Sequence, residues 1–158
     1  MIKKLLNQLF ANVDNDFPSK HYWSQQESIE LSDEDKRLTK DSVLIGCGSG
    51  NVILANNINV LIKDSFEGNL IGQSNNTVTV LGEFKGVLSC HLLILQNPSK
   101  IYGTIFHEKL NIEAGVTLGS KLLGKKMLTA IDSSLLEDFD YLRSDEFMNT
   151  IEEIGSFY

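Results

Sequence analysis

Short runs in which apolar and polar residues alternate fill the middle of the chain, from about residue 43 to residue 122. The clearest runs are residues 58–60, 78–80, 92–94 and 110–112. Alternation with a period of two is typical of β-strands, because successive side chains point to opposite faces of a sheet. The pattern therefore predicts a series of short strands, each with one apolar face directed inward.

A unit with the pattern apolar-x-Gly-x-apolar recurs between these runs at a nearly constant period. Its glycines are Gly50, Gly68, Gly86 and Gly103, with a weaker unit at Gly119, and they stand 18, 18, 17 and 16 residues apart. A repeat of this length is too short to fold alone, but stacked turns about 4.8 Å apart pair each strand with those above and below. Glycine suits a sharp corner between flat faces, because a side chain there strains the backbone or crowds its neighbour.

The repeat and the alternation together predict an all-β protein built as a parallel β-solenoid of about five turns. The solenoid is expected to cover residues 42–123, between an N-terminal flanking segment, residues 1–41, and an acidic helical C-terminal segment, residues 124–158. Asn51 and Asn69, at equivalent offsets from their glycines, are expected to stack as a short amide ladder. The side chains assigned to the structural core are Val52, Phe66, Leu70, Val78, Val80, Phe84, Leu88, Ile94, Ile101, Ile105, Leu110 and Ile112.

A second kind of solenoid, the left-handed hexapeptide helix of acyltransferases and gamma-type carbonic anhydrases, also takes about 18 residues per turn. It needs an aliphatic residue at every sixth position. Counting from Val52 gives Ile58, Asp64, Leu70 and Asn76, so the rule fails at the third and fifth positions. A degenerate hexapeptide-type transferase or metal lyase is therefore the least favoured of the alternatives.

The negative charge of the protein is concentrated at its C-terminal end. The formal net charge is -7, but residues 132–158 alone hold eight acidic residues against one basic residue, Arg143. The rest of the chain carries 13 acidic and 13 basic residues, so the body of the protein is neutral. A neutral body lacks the broad basic surface that binds a phosphate backbone, and we expect no nucleic-acid partner.

Cysteine usage and the N-terminal sequence indicate a cytoplasmic protein. Cys47 and Cys90 have no metal-type spacing, and two thiols in a chain of this size do not suggest a disulfide framework. Asn7, Gln8 and Asn12 interrupt the apolar region that a signal peptide needs. No apolar run approaches the length of about 20 residues that a membrane-spanning helix requires. We expect neither secretion nor a transmembrane span.

The residues that most often carry chemistry form no convincing catalytic or metal-binding set. His91 and His107 are expected on adjacent turns near Glu108, but a third ligand at a suitable offset is missing. Cys90 and His91 are neighbours on one strand and therefore point to opposite faces. Walker loops, dinucleotide fingerprints, Gly-x-Ser-x-Gly and His-Glu-x-x-His do not occur. We predict no catalytic residues, no cofactor and no metal ligands, and a protein that is not an enzyme.

Two stretches of the repeat region are LGEFKGVLSCHLLIL, residues 81–95, and SKIYGTIFHEKLNIEAGV, residues 99–116. They resemble the bactofilins, a family of polymer-forming bacterial cytoskeletal proteins, and the strongest match runs from residue 100 to residue 115. The order of strands and turns agrees with that family, as does the glycine spacing. The resemblance covers about half of the chain. The repeat region is shorter than the family usually shows, and its last turn, residues 119–122, has lost the regular pattern.

The resemblance implies a right-handed parallel β-helix that polymerises through its end turns without bound nucleotide. It also implies a short N-terminal segment that targets a membrane, together with disordered tails. A protein of this kind is cytoplasmic or peripheral to the inner membrane.

Amphipathic patterns flank the repeats on both sides. The N-terminal segment has apolar residues at helical spacing and predicts a helix. It contacts either an anionic membrane surface or protein, which is the body or end turn of the same chain or a partner. Near the C terminus, Ser134-x-x-Glu137 matches a capping box. The apolar residues that follow predict a helix that covers an end of the solenoid or docks on another protein. The N-terminal residues assigned to membrane or partner contact are Ile2, Lys3, Lys4, Leu5, Leu6, Leu9 and Phe10.

The leading hypothesis is a non-enzymatic, bactofilin-like cytoskeletal scaffold. It self-associates into a homo-oligomer or filament through the ends of the solenoid and recruits protein partners through its tails. The alternative is a capped adaptor that does not polymerise, in which the terminal helices block the ends and the wall of the solenoid binds a partner.

Overall fold

The computed structural model describes residues 20–156, which form a stack of six turns of parallel strands followed by short helices. This arrangement confirms the predicted parallel β-solenoid. Each turn contributes one strand to each of two parallel sheets. The short-strand sheet consists, in order, of β1 (Glu27–Glu30), β3 (Ser42–Ile45), β6 (Asn59–Ile62), β8 (Thr77–Val80), β10 (Leu92–Leu95) and β12 (Lys109–Ile112). The long-strand sheet consists, in order, of β2 (Lys36–Leu38), β5 (Val52–Leu54), β7 (Ser65–Gly72), β9 (Glu83–Ser89), β11 (Lys100–His107) and β13 (Thr117–Gly124).

The first turn begins earlier than the glycine pattern indicates. β1 pairs with β3 and β2 pairs with β5, so parallel pairing starts at Glu27, ahead of the expected boundary at residue 42. A short strand, β4 (Cys47–Gly48), also pairs with β7. The first turn escapes sequence analysis because its strands are short and carry charged residues. A helix, α1 (Lys20–Ser24), precedes this turn.

The long strands bend at a column of glycines. Gly68, Gly86 and Gly103 are paired in register and have φ values of 147°, 140° and 102°, a region that favours glycine. A Cβ atom on Gly86 would overlap the carbonyl oxygen of Gly68 in the turn below. The weak fifth unit is displaced by one residue, because Gly103 pairs with Ser120 and not with Gly119. At Gly68, Gly86 and Gly103 the corner therefore requires glycine for both conformation and space, whereas the last turn has Ser120 in the same column.

The core lies inside the solenoid, where equivalent residues of successive turns stack in columns. The rings of Phe66 and Phe84, for example, stack with their centroids 5.4 Å apart. Leu110 is half-buried and packs against this core. The other assigned residues that lie in it are Val52, Phe66, Leu70, Val78, Val80, Phe84, Leu88, Ile101 and Ile105.

Two of the residues assigned to the core have a different position. Ile94 is buried, but it pairs with Thr79 on the outer face, and its neighbours Leu93 and Leu95 fill the interior instead. Ile112 follows the inner column of Leu95 but is 39% exposed, because it belongs to the last turn. Ile94 therefore differs from the prediction in the face to which it points, and Ile112 differs because no turn lies above it.

Asparagine side chains join successive turns. Asn69 Nδ2 donates to Asn51 Oδ1 at 2.8 Å, which confirms the predicted amide ladder. A second pair has the same geometry, since Asn75 Nδ2 donates to Asn57 Oδ1 at 3.0 Å. The amides of Asn51 and Asn69 are buried and find their partner in the neighbouring turn, as buried polar groups require, whereas Asn57 and Asn75 are exposed.

The C-terminal segment, residues 125–155, forms a clasp along the side of the solenoid. It contains two 3₁₀ helices, η1 (Lys125–Ala130) and η2 (Leu135–Glu137), and two α-helices, α2 (Phe139–Leu142) and α3 (Asp145–Gly155). The predicted capping box does not form, because the side chain of Ser134 makes no capping bond to η2. The helix cap is ten residues further on, where Ser144 Oγ accepts a hydrogen bond from the backbone N–H of Phe147 at 3.2 Å.

Candidate functional site: the open last turn

The last turn of the solenoid ends both sheets. In the part of the chain that the structure describes, β12 pairs only with β10 and β13 pairs only with β11. The other side of each strand therefore presents backbone N–H and C=O groups that no further strand covers. Such an edge is a template for pairing with another chain.

Apolar side chains of the inner columns reach the surface at this end. Ile112 is 39% exposed and Leu118 is 43% exposed, whereas Leu95 and Ile101, their partners one turn below, are fully buried. Leu110 and Leu122 are half-buried and pack against the core from the same turn. The interior of the solenoid is thus continuous with an exposed apolar surface. We call β12 and β13 with these side chains the open last turn.

Leu118 is a functional candidate that the repeat pattern does not reveal. The residue stands in the column of Ile101 because the turn is one residue longer than the spacing from Gly103 to Gly119 suggests. Ile112 was found, but as part of the core. An interior column residue becomes a surface residue when no turn lies above it, and the loss of the regular pattern after Gly119 is the sequence signal for that position.

The first turn differs from the last in its charge and burial. Its strands carry Glu27, Lys36 and Arg37, and Glu27 occupies the register of the inner column. Of the apolar residues of this turn, Leu31 and Leu38 are buried, with exposures of 6% and 5%, and Ile29 is partly buried against the core. Charged residues at an edge hinder pairing with another chain. The two ends of the stack therefore have different chemical character.

The clasp lies beside the stack and leaves the open last turn exposed. Its apolar residues pack on an outward column of the long-strand sheet that includes Ile53, Ile71 and Phe106. The prediction that a C-terminal helix covers an end is therefore wrong for the last turn. The apolar residues that the clasp contributes are Leu128, Ile131, Leu136, Leu142, Phe147, Ile151 and Ile154.

Polar contacts fasten the clasp from the first turn to the last. Arg37 Nη1 donates to Glu137 Oε2 at 2.6 Å, and Arg143 forms an ion pair with Asp35. At the other end, Lys121 Nζ donates to the carbonyl oxygen of Gly155 at 3.0 Å. Surface ion pairs of this kind contribute about 0–1 kcal/mol each. These polar contacts align the clasp, and the burial of its apolar side chains on the solenoid wall supplies most of its stabilisation.

A cleft of about 480 Å³ lies between the clasp and the solenoid wall. Charged residues of both signs line it, including Glu108, Lys125 and Asp132. Lys125 Nζ donates to the carbonyl oxygen of Gln73 at 2.6 Å, so its ammonium group already has a structural role. The mixture of charges favours no single class of ligand.

The histidines of the solenoid pair with a carboxylate or lie partly buried. His91 Nδ1 lies 2.8 Å from Glu108 Oε2 on the next turn, as the glycine offsets indicate. Partial burial lowers the pKa of His107. Across residues 20–156, no group of three or more His, Cys, Asp or Glu side chains has an arrangement that could hold a metal ion.

The two cysteines lie in different environments. Cys47 is exposed, and Cys90 is fully buried. Burial raises the pKa of the Cys90 thiol to about 12, against a smaller lowering by the charge of Lys125. Because the thiolate is the nucleophilic form, Cys90 is unreactive at neutral pH and serves as a core residue.

The N-terminal contact residues, Ile2, Lys3, Lys4, Leu5, Leu6, Leu9 and Phe10, lie outside the described residues. Every helix within residues 20–156 is too short or too polar to span a bilayer.

Comparison of the chain with protein-family models, with curated proteins and with solved structures finds no significant match. A function for this protein is therefore inferred from its fold and its surfaces.

Proposed function

We propose that this protein is a non-enzymatic, cytoplasmic scaffold that self-associates through the open last turn, in the manner of the bactofilins it resembles. The observation that carries the proposal is the exposure of Ile112 and Leu118 beside two unpaired strand edges. A second copy that stacks on this turn continues both sheets and buries both side chains. Fully burying a leucine or isoleucine contributes about 1.5–3 kcal/mol, and the edge hydrogen bonds add direction to the contact.

The geometry allows two modes of stacking. Pairing of two last turns is symmetric and closes into a dimer, whereas pairing of a last turn with a first turn repeats into a filament. Apolar groups meet apolar groups in the symmetric mode. In the other mode the column of Ile112 meets Ile29, but the columns of Leu110 and Leu122 meet Glu27 and Lys36. The contrast between the two ends favours the symmetric contact as the first step of assembly. The flanking segments then recruit protein partners.

Light scattering coupled to size-exclusion chromatography, with negative-stain electron microscopy, tests the proposal on the full chain. Leu118→Lys places a charge on the open last turn, and Met148→Lys is a matched control because Met148 is also 43% exposed but lies on α3. We expect wild type and Met148→Lys to assemble and Leu118→Lys to remain monomeric with an unchanged circular dichroism spectrum. Assembly of Leu118→Lys would overturn the assignment of the surface. A monomeric wild type at high concentration would favour the adaptor.

A further inference from the structure

The outer face of the short-strand sheet is apolar as well as its inner face. The strand register places Val43, Leu61, Thr79 and Ile94 in one outward row across β3, β6, β8 and β10. All four are buried, with exposures of 6%, 7%, 1% and 3%. The sequence shows the same feature in β3, β6 and β10, which contain consecutive apolar residues rather than strict alternation. Parallel strands with apolar residues on both faces are typically covered on both faces.

The helix α1 covers one end of this row. Trp23 packs against Val43 and Leu61, with Tyr22 and Ile45 beside them. A helix of five residues is about 7.5 Å long. The distance from β3 to β10 is three strand spacings, or about 14 Å. The helix is therefore too short to cover Thr79 and Ile94 as well.

An apolar groove of about 370 Å³ remains beside Trp23 on this face. Val43, Ile45, Leu61 and Leu81 form its apolar wall. The Nε1 atom of Trp23 is buried and has no hydrogen-bond partner among the described residues. The groove therefore offers an apolar surface and an unpaired indole N–H next to the first described residues.

Residues 1–19 precede α1, whose Trp23 lines this groove. Their sequence has apolar residues at i, i+3, i+4, i+7, i+8 and i+11, starting from Ile2 and ending at Val13. A helix of 12 residues is about 18 Å long, enough to span the outward row of about 14 Å. We propose that the N-terminal amphipathic segment, residues 2–13, docks on the outer face of its own short-strand sheet. Docking withdraws the apolar stripe from any membrane surface.

The only tryptophan of the protein, Trp23, provides the test, because it lies at the groove. Leu6→Glu with Leu9→Glu charges the apolar stripe, and Lys4→Glu on the polar face of the same segment is the control. We expect a red shift of Trp23 emission and stronger acrylamide quenching in the double variant but not in the control. The full-length wild-type protein is not expected to sediment with vesicles of phosphatidylcholine and phosphatidylglycerol.

A second readout uses thiol labelling on the same row. Cys47 is exposed, so the background is Cys47→Ser. In that background we expect Thr79→Cys to be protected and to become reactive when Leu6→Glu and Leu9→Glu are added. Unchanged Trp23 emission together with an unprotected Thr79→Cys would overturn the proposal. Sedimentation of the wild type with vesicles would instead assign the stripe to lipid. Neither result depends on the state of assembly, so failure here is distinct from failure of the scaffold proposal.

Discussion

Removal of one aromatic ring from the clasp tests whether this segment is an integral part of the fold. Phe147 on α3 is fully buried against the outward column of the solenoid wall. Its ring also meets that of Tyr141 edge to face, with centroids 5.5 Å apart and planes inclined by 65°. Phe147→Ala deletes this contact and leaves a cavity between the clasp and the wall.

The expected cost follows from these contacts. Replacing a fully buried phenylalanine by alanine costs about 3–5 kcal/mol, since lost transfer free energy and the cavity both contribute. The edge-to-face ring contact accounts for about 0.5–1.5 kcal/mol of stabilisation in comparable pairs. We therefore expect Phe147→Ala to lower the free energy of unfolding by about 4 kcal/mol, a large fraction of the 5–15 kcal/mol typical of domains.

Urea denaturation followed by circular dichroism and by Trp23 fluorescence measures the change. Met148→Ala is the control, because the next residue of the same helix is 43% exposed and its truncation is expected to cost less than about 0.5 kcal/mol. A loss in Phe147→Ala no larger than that of Met148→Ala would refute the integral role of the clasp. A large decrease in the free energy of unfolding that is seen by circular dichroism but not by Trp23 fluorescence would mean that the clasp detaches while the turns near Trp23 remain folded.

Three further predictions concern the solenoid itself. Gly86→Ala should lower the free energy of unfolding by more than about 2 kcal/mol, because its Cβ would overlap the carbonyl oxygen one turn below, whereas Gly124→Ala, with open space around it, should cost less. In native protein, Ellman's reagent should modify Cys47 but not Cys90, and two reactive thiols would contradict the burial of the latter. Because burial lowers the pKa of His107, the unfolded state binds a proton more readily, so stability should fall as pH drops below about 6.5. His107→Gln should reduce that dependence, and an unaltered pH profile would show that other groups cause it.

The run of apolar residues in β10 shows why some of the core could not be assigned from sequence. Leu92, Leu93, Ile94 and Leu95 are consecutive, so alternation alone cannot decide which of them point inward. The pairing of Leu93 with Val78 and of Leu95 with Val80 decides it, since the inner column must continue from turn to turn. The same ambiguity hid the outward row, because two apolar faces on one strand give no period of two.

The sequence by itself determined the repeat, the glycine corners and the stacking of Asn51 on Asn69. These features are local and recur from turn to turn, so each copy reinforces the pattern of the others. Only the tertiary structure decided that the clasp lies on the wall and that Ile112 and Leu118 are exposed. The burial of an apolar side chain depends on whether another turn or helix lies over it, and that neighbour can be distant in sequence.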